Sequence, residues 1–160
     1  MKEYSGDKIR NVCLVSHGGA GKTTLTEAML FNAGAIERLG KVTEGNTTTD
    51  YDPEEIKRQF SINTAIAPFE WNGCKVNIID TPGYFDFVGE VKQGIRVADA
   101  ALILVPGKGG VAVGTEKAWE YANEREIPRM FFISKMDEEN ADFNGVVDQL
   151  KNLFGNKIVS

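Results

Sequence analysis

An α/β fold is the architecture this sequence predicts: a mostly parallel sheet with helices on both faces and one antiparallel edge strand. Three observations carry it. Apolar runs alternate along the chain with amphipathic stretches, the order that builds a three-layer αβα sandwich. Two of the runs, Ala100-Ala-Leu-Ile-Leu-Val105 and Met130-Phe-Phe-Ile133, are uninterrupted, as expected of parallel strands covered on both faces. The pair Asn72-Gly73 between two strand-like runs signals a hairpin, and so one antiparallel edge.

In chain order, strands are expected at Val12–Val15, Ile62–Trp71, Lys75–Ile79, Ala100–Val105 and Met130–Ile133. Helices are expected at Lys22–Ala33, Phe87–Val97, Thr115–Arg125 and Phe143–Phe154. In the helix at 115–125, Trp119 and Ala122 share one face, while Glu116, Lys117, Glu120 and Glu124 stay largely wet. Gly34–Gln59 is the exception, a polar stretch rich in Gly and Thr that lacks a clear period. A connection this long inside a compact domain is usually functional or mobile.

With 160 residues the chain fits one domain with a substantial core. Its net charge of −5 argues against a large basic surface for naked DNA, and leaves room for a ribonucleoprotein met through a local patch. Cys13 and Cys74 both lie in apolar strand-like segments and are expected to be reduced and buried. No apolar run approaches the ~18 residues of a membrane span, and Met1–Lys8 is polar. A soluble, cytoplasmic, monomeric protein without a membrane partner is expected.

The chemistry begins at Ser16-His17-Gly18-Gly19-Ala20-Gly21-Lys22-Thr23-Thr24, between the first strand and the first helix. Strand, glycine-rich turn, Lys-Thr and helix form the context of a phosphate-binding loop. Glycines let the backbone curl into an anion nest, and the helix N-terminus adds its positive dipole end. Lys22 is placed to reach terminal phosphates and the Thr23 hydroxyl to ligate Mg²⁺. Ser16 stands where the pattern G-x-x-x-x-G-K-[ST] has its first glycine, and its small side chain leaves the turn feasible.

Two further motifs fall at the ends of later strands, where ligands bind in open α/β sheets. Asp80-Thr81-Pro82-Gly83 can hold the hydration shell of Mg²⁺ through Asp80 and offer the Gly83 N–H to a γ-phosphate. In the following Tyr84-Phe85-Asp86-Phe87, the two phenylalanines are expected to pack in the core. Ser134-Lys135-Met136-Asp137 carries a carboxylate able to accept from guanine N1 and the 2-amino group, a donor pair adenine lacks. The Lys135 stem can lie along the base plane.

In this order the motifs resemble the N-terminal part of the GTP-binding domain of translation elongation factor G, elongation-factor-G-like proteins in particular. They also resemble the tetracycline-resistance ribosomal protection proteins. The matching stretches include Gly18–Glu27, Gly34-Ala35-Ile36, Thr47–Asp50, Val76–Gly83, Asp86–Val91 and Phe131–Asp137. The resemblance implies a P-loop NTPase fold, with Gly34–Ser61 as a first switch and the segment after Asp80 as a second. It implies GTP and GDP with Mg²⁺ as ligands, GTP hydrolysis as the activity, and the ribosome as partner of the parent protein. The nucleotide set so implied is His17, Gly18, Gly19, Ala20, Gly21, Lys22, Thr23, Thr24, Asp80, Gly83, Ser134, Lys135 and Asp137. The metal set is Thr23, Ser61 and Asp80, and the catalytic set Tyr84, Lys22 and Gly83.

Several positions depart from the family pattern. Ser61 aligns with a Thr that ligates Mg²⁺, and Gly19 with a common Asp. Ser134 replaces an Asn, which bears on the firmness of base binding but not on its identity. Tyr84 stands where a His usually orients the attacking water, and a phenol of pKa ~10 is a poor base at neutral pH. Slow or activator-dependent hydrolysis is therefore expected. His17, the one histidine, matches a residue common in the family's loop and is read as structural rather than as a substitute base. The resembled domain continues to a further motif that closes over guanine and is not found after Asp137. Residues 1–160 are accordingly expected to be an incomplete N-terminal fragment of a larger multi-domain factor. Two rival readings are a guanine-nucleotide switch with little hydrolysis that regulates a partner, and an ATP-using P-loop enzyme such as a kinase.

Overall fold

The computed structural model describes residues 2–155 and 158–159. Its five-stranded sheet runs in the spatial order Ala65–Trp71 (β2), Cys74–Asp80 (β3), Ile9–Val15 (β1), Ala100–Pro106 (β4) and Arg129–Ser134 (β5). Four strands are parallel: β1 (Ile9–Val15), β3 (Cys74–Asp80), β4 (Ala100–Pro106) and β5 (Arg129–Ser134). The edge strand β2 (Ala65–Trp71) pairs antiparallel with β3. Their connection is Asn72-Gly73, both in the left-handed region at φ 47° and 76°, which is the two-residue turn whose twist matches the flanking strands.

The helices are α1 (Lys22–Asn32), α2 (Pro53–Arg58), α3 (Val88–Val97), α4 (Val113–Glu124) and α5 (Phe143–Phe154). Alternation along β4 divides the core. Ala101 and Ile103 pack with Cys13 and Val15 under Ile95 of α3 and Ala118 and Ala122 of α4. Leu102 and Leu104 face the other way, with Leu14 and Ile78 under Leu30 of α1. Val105 meets Val146 and Leu150 of α5. Ala101 to Val105 are buried without a break, which accounts for the unbroken apolar run. Each such Leu or Ile taken from water stabilises the fold by roughly 1.5–3 kcal/mol. No helix among the described residues is long and apolar enough to cross a membrane.

Several expectations need correction. The apolar run of β5 is not covered on both faces: β5 is an edge strand, and Met130 and Phe132 are 63% and 38% exposed. The strand expected from Ile62 begins only at Ala65, because side-chain carboxylates take the intervening N–H groups. Glu55 accepts from Ile62 and Asn63, each at 2.9 Å, and Glu90 of α3 accepts from Thr64 at 2.8 Å. The connection 34–59 is not without helix, since α2 lies within it. Asp52 and Glu55 form a reciprocal capping box around Pro53, so Asp-Pro-Glu-Glu was a helix start in the sequence. Phe85 is 51% exposed rather than part of the core. Of the cysteines, Cys13 is buried and Cys74 half-buried, both free.

Candidate functional site

The strands β1, β3 and β5 deliver their last residues to one end of the sheet, and the loops that follow build a cavity there. After Val15 the chain turns through Ser16–Gly21 into α1. Gly19 and Gly21 hold φ of 78° and 92°, where a side chain would cost about 1–2 kcal/mol, and such turns aim successive N–H groups to one side. The Lys22 ammonium is buried and donates to Ser16 Oγ at 3.0 Å. Ser16 Oγ donates in turn to the His17 carbonyl at 2.8 Å. The serine in place of the usual glycine thus holds the lysine head in place. Burial pulls the Lys22 pKa down to about 8 against the opposing attraction of Asp80. An anion beside Nζ would favour the charged form again.

A second group of side chains sits at the start of α1. Asp80, 1% exposed, accepts at Oδ2 from Thr23 Oγ1 (2.9 Å) and Thr49 Oγ1 (3.0 Å). Ser61 Oγ lies 3.1 Å from Thr23 Oγ1 and donates to Asp50 Oδ1 at 2.6 Å. Asp80 Oδ1 and Asp50 Oδ2 are buried and have no hydrogen-bond partner. Burial raises the Asp80 pKa to about 6, outweighing the pull of Lys22 and the two threonines. It raises that of Asp50 as well, against the Ser61 hydrogen bond. Two carboxylates with unpartnered buried oxygens, flanked by three hydroxyls, form a hard-oxygen donor set. That set suits Mg²⁺, which takes one or two carboxylates and completes its octahedron with phosphate and water. Thr49 and Asp50 received no role from the sequence. Their signal was a hydroxyl-rich run ending in Asp inside an overlong connection.

Gly83 seats the segment after Asp80 directly on the loop that precedes α1. A Cβ there would stand 2.6 Å from Lys22 Nζ and 2.7 Å from Gly18 Cα, so only glycine fits. The Tyr84 ring lies over Gly18, whose own Cβ would meet it at 3.2 Å, and packs against Phe60 with ring centroids 4.7 Å apart. The phenol is therefore at the rim of the cavity, 45% exposed.

At the end of β5 the buried Ser134 hydroxyl donates to the Ala20 carbonyl at 2.7 Å, tying this strand end to the phosphate loop. Lys135 follows with φ 57° and its ammonium 3.1 Å from Glu138 Oε1. The cavity, about 230 Å³, is lined by Gly18, Gly19, Gly21, Lys22, Thr23, Thr24, Asp50, Phe60, Ser61, Gly83, Tyr84 and Lys135, among others. Ala20, Ser134 and Asp80 support it without being among the residues that line it. Asp137 is exposed, beyond the lining. His17 also lies outside the lining; it backs onto Gly114 of α4, and its ring is 6.1 Å from that of Phe85. A larger groove, about 590 Å³, runs along the sheet beside α1 between Leu25, Met29, Phe69 and Met130. Its lining is almost wholly apolar.

Residues 7–160 match the family model described as the elongation factor Tu GTP binding domain. Among curated relatives, the mitochondrial ribosome-releasing factor 2 of Drosophila willistoni is 43% identical over 150 residues, covering 94% of this chain and 20% of that protein. An elongation factor G-like protein of Mycobacterium tuberculosis is 42% identical over 151 residues, covering 94% of this chain and 21% of its own length. A crystal structure from Thermus thermophilus superposes with a TM-score of 0.89 at 46% identity, over 94% of this chain and 23% of that one. The chain thus spans about a fifth of the length of the curated relatives it matches. Matched by the family model from residue 7 to residue 160, with the sheet and phosphate loop described above, the chain belongs to the elongation factor Tu GTP-binding domain family.

Proposed function

We propose that this chain binds GTP and GDP with Mg²⁺, hydrolyses the γ-phosphate, and acts as the nucleotide switch of a larger, elongation factor G-like factor working with the ribosome. The observation that carries this reading is the convergence of Lys22, Thr23, Ser61, Asp80 and Gly83 around one cavity floored by a left-handed glycine turn. Gly18 to Thr24 cradle phosphates through backbone N–H groups, and Lys22 offsets β/γ charge. Thr23 and Ser61 present hydroxyls to the cation, with Asp80 and Asp50 holding its water shell. Held there, Mg²⁺ would neutralise phosphate charge. Gly83 offers its N–H to the γ-phosphate, so loss of that group frees the segment that carries it. Ser134 steadies the phosphate loop, while Lys135 and Asp137 read guanine. Tyr84 is the candidate for positioning water, as a neutral hydrogen-bonding group rather than as a base.

The chain is read as the G-domain portion of its parent, acting as a monomer in the cytoplasm. A second reading, a binding switch with little hydrolysis, is favoured by the Tyr84 ring lying on Gly18 and Phe60 at the rim. Single-turnover hydrolysis of GTP by the chain and by its full-length parent, with and without ribosomes, separates the two. Ribosome-stimulated turnover by the parent supports the first reading; bound but uncleaved GTP under both conditions supports the second.

A further inference from the structure

Glu27 lies one helical turn beyond Thr23 on α1, so the two side chains share a helix face. It is 1% exposed, yet among the described residues it has no cationic partner within salt-bridge distance. Its carboxylate accepts instead from two backbone donors of the first switch, Gly40 N–H at 3.0 Å and Thr48 N–H. The fit is tight enough to exclude a side chain at residue 40. A Cβ there would stand 2.5 Å from Glu27 Oε2, 2.7 Å from the Asn46 carbonyl and 2.9 Å from Thr47 Cα. The residue after Thr48 is Thr49, which donates to Asp80, and next comes Asp50, which takes the Ser61 hydroxyl and lines the cavity.

We propose that Glu27 is the positioning residue of the cation end of the site, holding residues 48–50 of the first switch against the phosphate-loop helix so that Asp50 faces the Thr23 hydroxyl. The inference rests on the nucleotide and Mg²⁺ reading above. Glu27 touches neither ligand in this account; it acts through Thr48. An anionic acceptor suits the task because a carboxylate takes two N–H bonds at once, and charge-assisted bonds are the strong ones. The amide of Gln would keep one acceptor and set an N–H against an N–H. A purely electrostatic role makes the opposite prediction. The Asp50 carboxyl is raised chiefly by burial and further by Glu55 and Glu27, so removing the Glu27 charge would by itself ease ionisation of Asp50 and strengthen cation binding.

The test is GDP affinity by calorimetry in excess Mg²⁺ and in EDTA, for the wild type, Glu27→Gln, Gly40→Ala and the double variant. The Mg²⁺-dependent gain in affinity should fall about tenfold in each single variant, the size of one lost charge-assisted bond, with affinity in EDTA within about twofold. Gly40→Ala breaks the same anchor from the switch side with Glu27 intact, so the double variant should lose no more than either single one. An unchanged or larger Mg²⁺ gain in Glu27→Gln, or additive losses, overturns the proposal. Amide exchange of the wild type keeps the anchor testable should the variants not fold. With GDP and Mg²⁺, the Gly40 and Thr48 amides should exchange as slowly as those of α1, and loop-like rates at both would refute it. Absence of any GDP binding by the wild type would instead remove the functional reading, while the exchange rates would still report on the anchor.

Discussion

Replacing Gly83 by Ala tests how the segment after Asp80 meets the loop that precedes α1. The added Cβ would stand 2.7 Å from Gly18 Cα, 0.7 Å inside the 3.4 Å at which ordinary contact begins, and 2.8 Å from Gly18 N. Lys22 Nζ, at 2.6 Å, can swing aside, but the Gly18 backbone cannot, so residues 82–84 must move away from the loop. Overpacking of this kind costs about 1–3 kcal/mol. If the Gly83 N–H contacts the γ-phosphate, that cost falls on the triphosphate complex, weakening it by about 5- to 150-fold. The diphosphate complex, held by Gly18 to Thr24 and the base-reading residues, should change by less than about threefold. Calorimetric titration with GDP and a non-hydrolysable GTP analogue reads the difference directly. Equal affinities of wild type and variant for the analogue would refute the role given to Gly83, and an equal loss for both nucleotides would mean that the whole loop had been distorted.

Ser134→Ala removes the donor that holds the Ala20 carbonyl and leaves that buried acceptor unpaired, a cost of about 1–3 kcal/mol. GDP dissociation, followed by stopped-flow chase, should accelerate about tenfold or more while the preference for GDP over XDP stays as it was; a change in base preference instead would make Ser134 a base contact. Asp137→Asn exchanges an acceptor pair for an amide, so affinity should shift from GDP toward XDP by about tenfold or more in competition binding, and unchanged selectivity would remove Asp137 from the site. The Asp80 carboxyl, at about 6 against an ordinary 3.8, binds a proton in the folded chain that the unfolded chain releases in between. Its contribution to the stability of the empty fold is therefore complete below the ordinary value and is lost as pH rises through about 6. A divalent cation needs the carboxylate, so the rise in Tm brought by Mg²⁺ with GDP should be larger at pH 7 than at pH 5. A smaller rise at pH 7 would contradict the assignment of Asp80 to the cation shell.

Most of the sheet was legible because β4 buries an unbroken apolar run, β1 ends in one at Cys13–Val15, and Asn72-Gly73 demands one turn type. The phosphate loop was legible for a similar reason, since its backbone requires glycine where the sequence has it. The connection from Gly34 to Thr64 was not. Its fold depends on contacts distant in sequence, with Glu27, Glu55 and Glu90 taking N–H groups at 40, 48 and 62–64 that a local pattern would assign to loop or strand. The same cause hid Asp50, whose role follows from the approach of Ser61 and not from its neighbours along the chain. Ser134 illustrates a third case. Its departure from Asn drew attention to the base, whereas its hydroxyl in fact bonds the phosphate loop.

The central claim is that the cavity at the ends of β1, β3 and β5 is a guanine-nucleotide site. Its most direct test is the affinity of the wild-type chain for GDP, ADP and XDP in the presence of Mg²⁺. GDP should bind at least about a hundredfold more tightly than either rival, because adenine lacks the donor pair and xanthine sets a carbonyl against the carboxylate where guanine has its amino group. Tighter binding of ADP, or no binding of GDP at all, would contradict it.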